Sequence, residues 1–187
     1  MHDLLNSPDS LLASFASENE PGRLIIVTGP SGSGKTHWCL ALADYARSLG
    51  VDVGGLVSPA VQEAGLKTGI ELLDLRSGAR RRLAVRRAES VTGPITEDWH
   101  FDNEALRWGN AVLVRSKKCQ LLILDELGPL ELLQGVGLTV GLRLVSARRY
   151  RLACVVVRLS LLSKAQALWP WEQTFHIPSE NPKGVLA

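Results

Sequence analysis

The run Gly29-Pro30-Ser31-Gly32-Ser33-Gly34-Lys35-Thr36 limits what this chain can fold into more than any other segment. It satisfies the phosphate-binding pattern G-x-x-x-x-G-K-[ST] at every fixed position. Its flanks matter as much. Leu24-Ile25-Ile26-Val27 before it is an unbroken apolar run of strand character, and Lys35 to Leu49 after it places Trp38, Leu42, Tyr45 and Leu49 at helical spacing. Gly50 stands where a glycine commonly closes a helix. Strand, glycine-rich turn and helix in direct succession aim the loop N–H groups and the positive end of a helix at one point, which is what an anion needs.

The residue types supply the chemistry. Gly29, Gly32 and Gly34 permit unusual dihedrals and close approach of backbone to ligand. Lys35 is expected to reach the β- and γ-phosphates of a nucleotide as a point charge. The Thr36 hydroxyl is expected to coordinate Mg²⁺. The competing reading, a glycine-rich turn with an incidental lysine, does not account for the strand and helix on either side.

A second element belongs with the first. Leu121-Leu122-Ile123-Leu124 reads as a strand buried on both faces, and it ends in Asp125-Glu126. An aspartate at the end of such a strand helps to hold Mg²⁺ opposite a phosphate-binding loop. The adjacent Glu126 can orient and polarise an attacking water, which points to hydrolysis rather than transfer. By itself an apolar strand ending in Asp-Glu says little; joined to the loop it becomes specific.

The remainder fits one α/β domain. The chain has 187 residues, 45% hydrophobic and 21% charged, with a net charge of +2. That length favours a single domain over residues 23–187, with 1–22 as a polar lead-in around Leu11-Leu12. Val51 to Val57 reads as a second strand closed by Pro59. Thr68 to Leu75 and Arg80 to Val85 flank Ser77-Gly78 as a hairpin, an insertion or a sheet extension. Ser90 to Trp99 is rich in turn residues. A helix is expected from Asp102, with Asp102 as N-cap, Phe101 and Leu106 as a hydrophobic staple, and Ala105, Trp108 and Val112 continuing its face. Leu138, Leu142 and Val145 fall at helical spacing, Leu152 to Val157 reads as a buried strand, and Phe175-His176-Ile177 as a short last one. Alternating strands and helices around buried parallel strands predict a three-layer α/β fold with a mostly parallel sheet.

Other classes of function find little support. The mild charge and the lack of aromatic interleaving argue against nucleic acid as a partner. No stretch approaches the ~18 apolar residues of a membrane span, and no secretory signal pattern opens the chain. Cys39, Cys119 and Cys154 lie far apart in apolar patterns and read as reduced core thiols of a cytoplasmic protein. No segment identifies a protein partner.

Beyond these two motifs, Asp125-Glu126-Leu127-Gly128-Pro129-Leu130-Glu131-Leu132 resembles the Asp-Glu-h-Gly-x-h-Glu element of the P-loop nucleoside-triphosphatases first described from thermophiles, to which the vertebrate cancer-related nucleoside-triphosphatase also belongs. Gly54-Gly55-Leu56-Val57-Ser58-Pro59 is similar to that family's second strand and exit turn. Lys67-Thr68-Gly69-Ile70 with Asp74-Leu75, and Val155-Val156-Val157-Arg158, are similar to later strands. The resemblance implies a RecA-like P-loop fold and Mg²⁺-dependent hydrolysis of nucleoside triphosphates, ATP and GTP among them, with broad base tolerance. It implies that Gly29 to Thr36 bind phosphates, that Thr36 and Asp125 serve the metal, that Glu126 activates water, and that Glu131 is a supporting carboxylate. Two positions depart from the family pattern. Pro59-Ala60-Val61 stand where members often carry acids, and Pro182 in Ser179-Glu180-Asn181-Pro182 stands where an arginine is common.

Further residues carry two readings each. Arg158, after an apolar strand, is either a sensor of the γ-phosphate or a surface arginine. The cluster Arg80, Arg81, Arg82, Arg86 and Arg87 is either a phosphate contact or, as favoured here, a set of charges protecting a hairpin edge. Trp169-Pro170-Trp171 is the candidate base-stacking platform among five tryptophans, and His37 is read as a packing or capping residue. Two rival functions stay open: a small-molecule kinase, which needs an acceptor, and a nucleotide-gated adaptor, which turns over slowly until a partner binds.

Overall fold

The computed structural model describes residue 15 and residues 20–86, 92–125, 127–171 and 173–178. Five parallel strands form its centre: β1 (Arg23–Thr28), β2 (Val53–Val57), β7 (Leu121–Leu124), β8 (Leu152–Val156) and β9 (Gln173–His176). Their spatial order is β2-β7-β8-β1-β9, so β8 separates the strand that feeds the glycine-rich loop from the strand that ends in Asp125. Alternate residues face opposite sides, and both sides are apolar. Ile25, Val27, Ile123 and Cys154 face one layer; Leu24, Ile26, Leu122 and Val155 face the other. Burial on both faces is why these strands read as continuous hydrophobic runs. Each fully buried leucine or isoleucine contributes about 1.5–3 kcal/mol.

The first layer is α1 (Lys35–Ser48). It buries Cys39, Leu42, Ala43 and Ala46; of the expected stripe of Trp38, Leu42, Tyr45 and Leu49 only Leu42 is fully buried. Small side chains let the helix lie close on the sheet, so the large ones are displaced to its flanks. Trp38 packs against Phe175 with ring centroids 6.1 Å apart, and Leu49 is exposed. Gly50 ends the helix as expected, with φ 75°.

The opposite layer contains α2 (Asn103–Arg115), α4 (Thr139–Ala147) and α5 (Leu162–Leu168). Asp102 caps α2 as its sequence requires, its carboxylate accepting from the Ala105 N–H at 2.7 Å. A short helix, α3 (Pro129–Leu132), and α5 had no counterpart in the sequence reading.

The predicted hairpin extends the sheet. β4 (Leu66–Asp74) pairs antiparallel with the end of β2, then β5 (Arg80–Arg86) with β4, and β6 (Trp99–Phe101) with β5. Pro59 closes β2, but the chain restarts at once as β3 (Ala60–Glu63) along the same edge of β4. β3 and β6 were missed because they are only four and three residues long, β3 largely exposed and β6 largely buried, too short for an alternation to read. Gly55, at φ 120°, lies against the Ile123 carbonyl, where a Cβ would have no room. Among the described residues no helix is long and apolar enough to cross a membrane.

Candidate active site

The parallel strands all end on one side of the sheet, and the two sequence motifs meet there. Thr36 is the second residue of α1 and Asp125 follows β7. The Thr36 hydroxyl donates to Asp125 Oδ2 at 2.6 Å, across a sequence separation of 89. Asp125 is 3% exposed, so its carboxylate depends on such partners rather than on water. The Ser58 backbone N–H donates to the same Oδ2 at 3.2 Å, and the Ser58 hydroxyl donates to the Asp125 backbone carbonyl at 3.1 Å. The ends of β2 and β7 and the start of α1 are thereby tied together. Ser58 was not singled out from sequence; a serine directly after a buried strand at this edge is the only signal it offers.

The loop takes the expected backbone. Gly29, Gly32 and Gly34 all have positive φ, at 147°, 78° and 85°. At Gly29 a Cβ would also strike the Ile177 carbonyl, which follows β9. No side chain caps the start of α1, so the positive helix end is left to interact with an anion. Pro30 and Ser31 form the exposed crest and Ser33 is buried within the turn. The Lys35 ammonium donates to the carbonyls of Gly29, at 3.0 Å, and Pro30, and to Ser33 Oγ at 3.4 Å. It is held over the loop it must serve.

The site's charge reaches the core behind it. Burial, then the Asp125 carboxylate, then Cys154 push the Cys39 thiol well above its ordinary value, with Lys35 opposing. Thr28, the last residue of β1, keeps a buried hydroxyl with no hydrogen-bond partner.

Thr36 and Asp125 offer a hydroxyl and a carboxylate oxygen, the hard donors that Mg²⁺ takes. Mg²⁺ is commonly held by one or two carboxylates together with substrate phosphates and waters, so this small set fits it. No cluster of three or more His, Cys, Asp or Glu suited to a metal occurs among the described residues.

Other candidates are placed as follows. Glu126, like Arg87 and the 179–182 segment, lies outside the described residues. Arg158 is exposed after β8, at the same edge as the loop; the neighbouring Val157 N–H bonds to Val27 of β1 at 2.9 Å. Glu131 is structural: its carboxylate accepts from the N–H groups of Gly128, at 2.9 Å, and Leu138, at 2.7 Å. The Arg cluster belongs to the sheet extension. Arg80 pairs with Glu71 at 3.2 Å, Arg81 lies over Trp108, and Arg86 lies over Trp99 and donates to the Lys67 carbonyl.

The Trp169–Trp171 segment does not serve as a platform at this site. Trp169 is buried and donates to Ser146. Trp171 precedes β9, whose first residues pair with Ile25, so it sits toward the other end of the strands from the loop. A proline between two tryptophans marked an exposed turn, but the first ring was recruited to the core. His37 is an exposed residue of the first turn of α1.

Comparison with known proteins agrees with this geometry. A family model described as NTPase matches residues 24–160. A nucleoside-triphosphatase THEP1 from Caldivirga maquilingensis is 29% identical over 136 residues, which cover 73% of this chain and 76% of the relative. The protein of the same name from Hyperthermus butylicus is 31% identical over 162 residues, 84% of this chain and 83% of the relative. The solution structure of a human cancer-related nucleoside triphosphatase superposes with a TM-score of 0.61 at 24% identity, covering 86% of this chain and 91% of that one. It shows the same three-layer P-loop fold.

Proposed function

From the premise that this chain belongs to the NTPase family, whose model matches residues 24–160, we propose that it hydrolyses nucleoside triphosphates to the diphosphate and inorganic phosphate in a Mg²⁺-dependent reaction. The observation that carries the reading is the 2.6 Å contact between Thr36 and Asp125, which joins the phosphate-binding loop to the carboxylate strand. The Lys35 ammonium exchanges its loop carbonyls for β- and γ-phosphate oxygens, and the amides from Gly29 to Thr36 surround the same group. Thr36 Oγ1 and Asp125 would hold Mg²⁺, with Ser58 keeping the carboxylate turned toward Thr36. When bound, Mg²⁺ would neutralise the charge that develops on the phosphate oxygens. Glu126 accepts a hydrogen bond from the attacking water and aligns it with the γ-phosphorus. Arg158 senses the γ-phosphate from the adjacent strand end. Three buried thiols without a disulfide support a cytoplasmic location.

The test is phosphate release from ATP, GTP, CTP and UTP with Mg²⁺ and no added acceptor. Steady release from several of them supports a hydrolase. Tight nucleotide binding without release would overturn it, in favour of a transferase needing an acceptor or an adaptor needing a partner.

A further inference from the structure

The end of the molecule opposite the loop carries a hollow that hydrolysis does not use. A cavity of about 320 Å³ opens between the C-terminal end of α2 and the length of α4. Its walls are apolar, built from Val114, Leu122, Val140, Leu144 and the ring of Tyr150, whose hydroxyl donates to the Val145 carbonyl. Four cations, Lys117, Lys118, Arg143 and Arg149, all of them exposed, line it together with Ser116 and Ala147, and among the described residues no carboxylate contributes. A second, polar hollow of about 260 Å³ adjoins it, sharing Lys118, Arg149 and Tyr150 and adding Arg148, Arg151 and, as the one acid among its described lining residues, Glu20. Leu122 lies three residues before Asp125 on a strand rising about 3.3 Å per residue, which sets that wall of the cavity roughly 10 Å from Asp125.

Helix ends explain part of this charge. The C-termini of α2 and α4 together present roughly one negative charge, half from each. Four full positive charges exceed that, and they surround apolar surface rather than each other's counterions. A polyanion such as nucleic acid gains nothing from a recessed apolar hollow. A small molecule with an apolar body and one anionic head satisfies both parts: the volume and lining are those of a ligand pocket, and the head has charged donors at the mouth.

We propose that this cavity is a second ligand site, for an amphiphilic carboxylate of which a medium-chain fatty acid is the simplest member. The chain of the acid fills the hollow between α2 and α4. Its carboxylate lies at the junction of the two hollows, where Lys118 and Arg149 face both. The site is independent of the nucleotide.

The test is calorimetric titration of the full chain with decanoate, below its micellar range, and with decanol as the neutral homologue. The expected result is saturable one-to-one binding of decanoate that MgATP does not displace. Decanol, and the double variant Lys118→Ala/Arg149→Ala, should each reduce affinity by about tenfold or more, the scale of a lost charge-assisted contact. Ala147→Trp, at an exposed position of the lining, should abolish binding by occupying the mouth while leaving the circular dichroism spectrum unchanged. Absence of saturable binding, displacement by MgATP, equal binding of decanol, or wild-type affinity in both variants would each overturn the proposal.

Discussion

Replacing Glu131 tests how the catalytic edge is held in shape. The segment from Gly128 to Leu138 joins the Asp125 strand to α4, and one carboxylate fastens both of its ends. Glu131 is 6% exposed and accepts from Gly128 N–H at 2.9 Å and Leu138 N–H at 2.7 Å. Gly137 packs so closely on Glu131 that a Cβ there would collide with the carboxylate. Hydrogen bonds to a charged group contribute about 1.5–3 kcal/mol each, so Glu131→Ala removes about 3–6 kcal/mol in principle. Gly128 and Leu138 are both buried, so water does not readily replace the lost acceptor, and a loss of at least about 3 kcal/mol is expected. Glu131→Gln keeps one acceptor oxygen and turns an NH₂ toward the second N–H, so it should lose about half as much. Urea unfolding followed by tryptophan fluorescence measures both. A loss below about 1 kcal/mol for the alanine variant, within the range of an ordinary surface change, would refute the claim that this carboxylate pins the segment.

Three further outcomes follow from the same geometry. Ser58→Ala removes the hydroxyl bond to the Asp125 carbonyl and leaves the N–H on Oδ2, so kcat should fall by up to about tenfold with the fold intact, the scale of one neutral hydrogen bond; unchanged kinetics would show that Asp125 does not need it. Burial raises the thiols of Cys119 and Cys154 from 9.0 up to about 12. The folded chain thus keeps protons that the unfolded chain releases; this contribution is complete below pH 9 and is lost as pH rises toward 12, by up to about 4 kcal/mol per thiol. Comparing urea midpoints at pH 8 and pH 11, Cys154→Ala should lose less stability with pH than the wild type, and equal losses would contradict the sign. Gly29→Ala should cost more than about 2 kcal/mol and abolish turnover, because the new Cβ meets the Ile177 backbone; a stable, active variant would show that the loop's seat on β9 is not required.

The two motifs were legible because their chemistry is local. Gly29 to Thr36 state their own backbone, and Leu121 to Asp125 state burial and a terminal carboxylate, so a shared site for Thr36 and Asp125 could be expected without knowing the strand order, while their direct contact is the structure's. What was not legible depends on tertiary partners. Ser58 matters only because β2 ends beside β7. The buried face of α1 turned away from Trp38, Tyr45 and Leu49 because Cys39, Ala43 and Ala46 beside Leu42 fit the sheet more closely. Trp169 looked like a loop residue and is core, since α4 supplies Ser146 for its ring N–H. The cavity between α2 and α4 left no linear trace, being shared by residues from Val114 to Tyr150.

The central claim, that Glu126 drives hydrolysis at a site assembled by Lys35, Thr36 and Asp125, is tested most directly by Glu126→Gln. Steady-state phosphate release from MgATP should fall by about 10²-fold or more, the loss of a general base, while nucleotide affinity measured by equilibrium binding stays within about twofold, since the carboxylate acts only on the water. Turnover within a few-fold of wild type would contradict the account and move the search for the water-activating group to another residue of this edge.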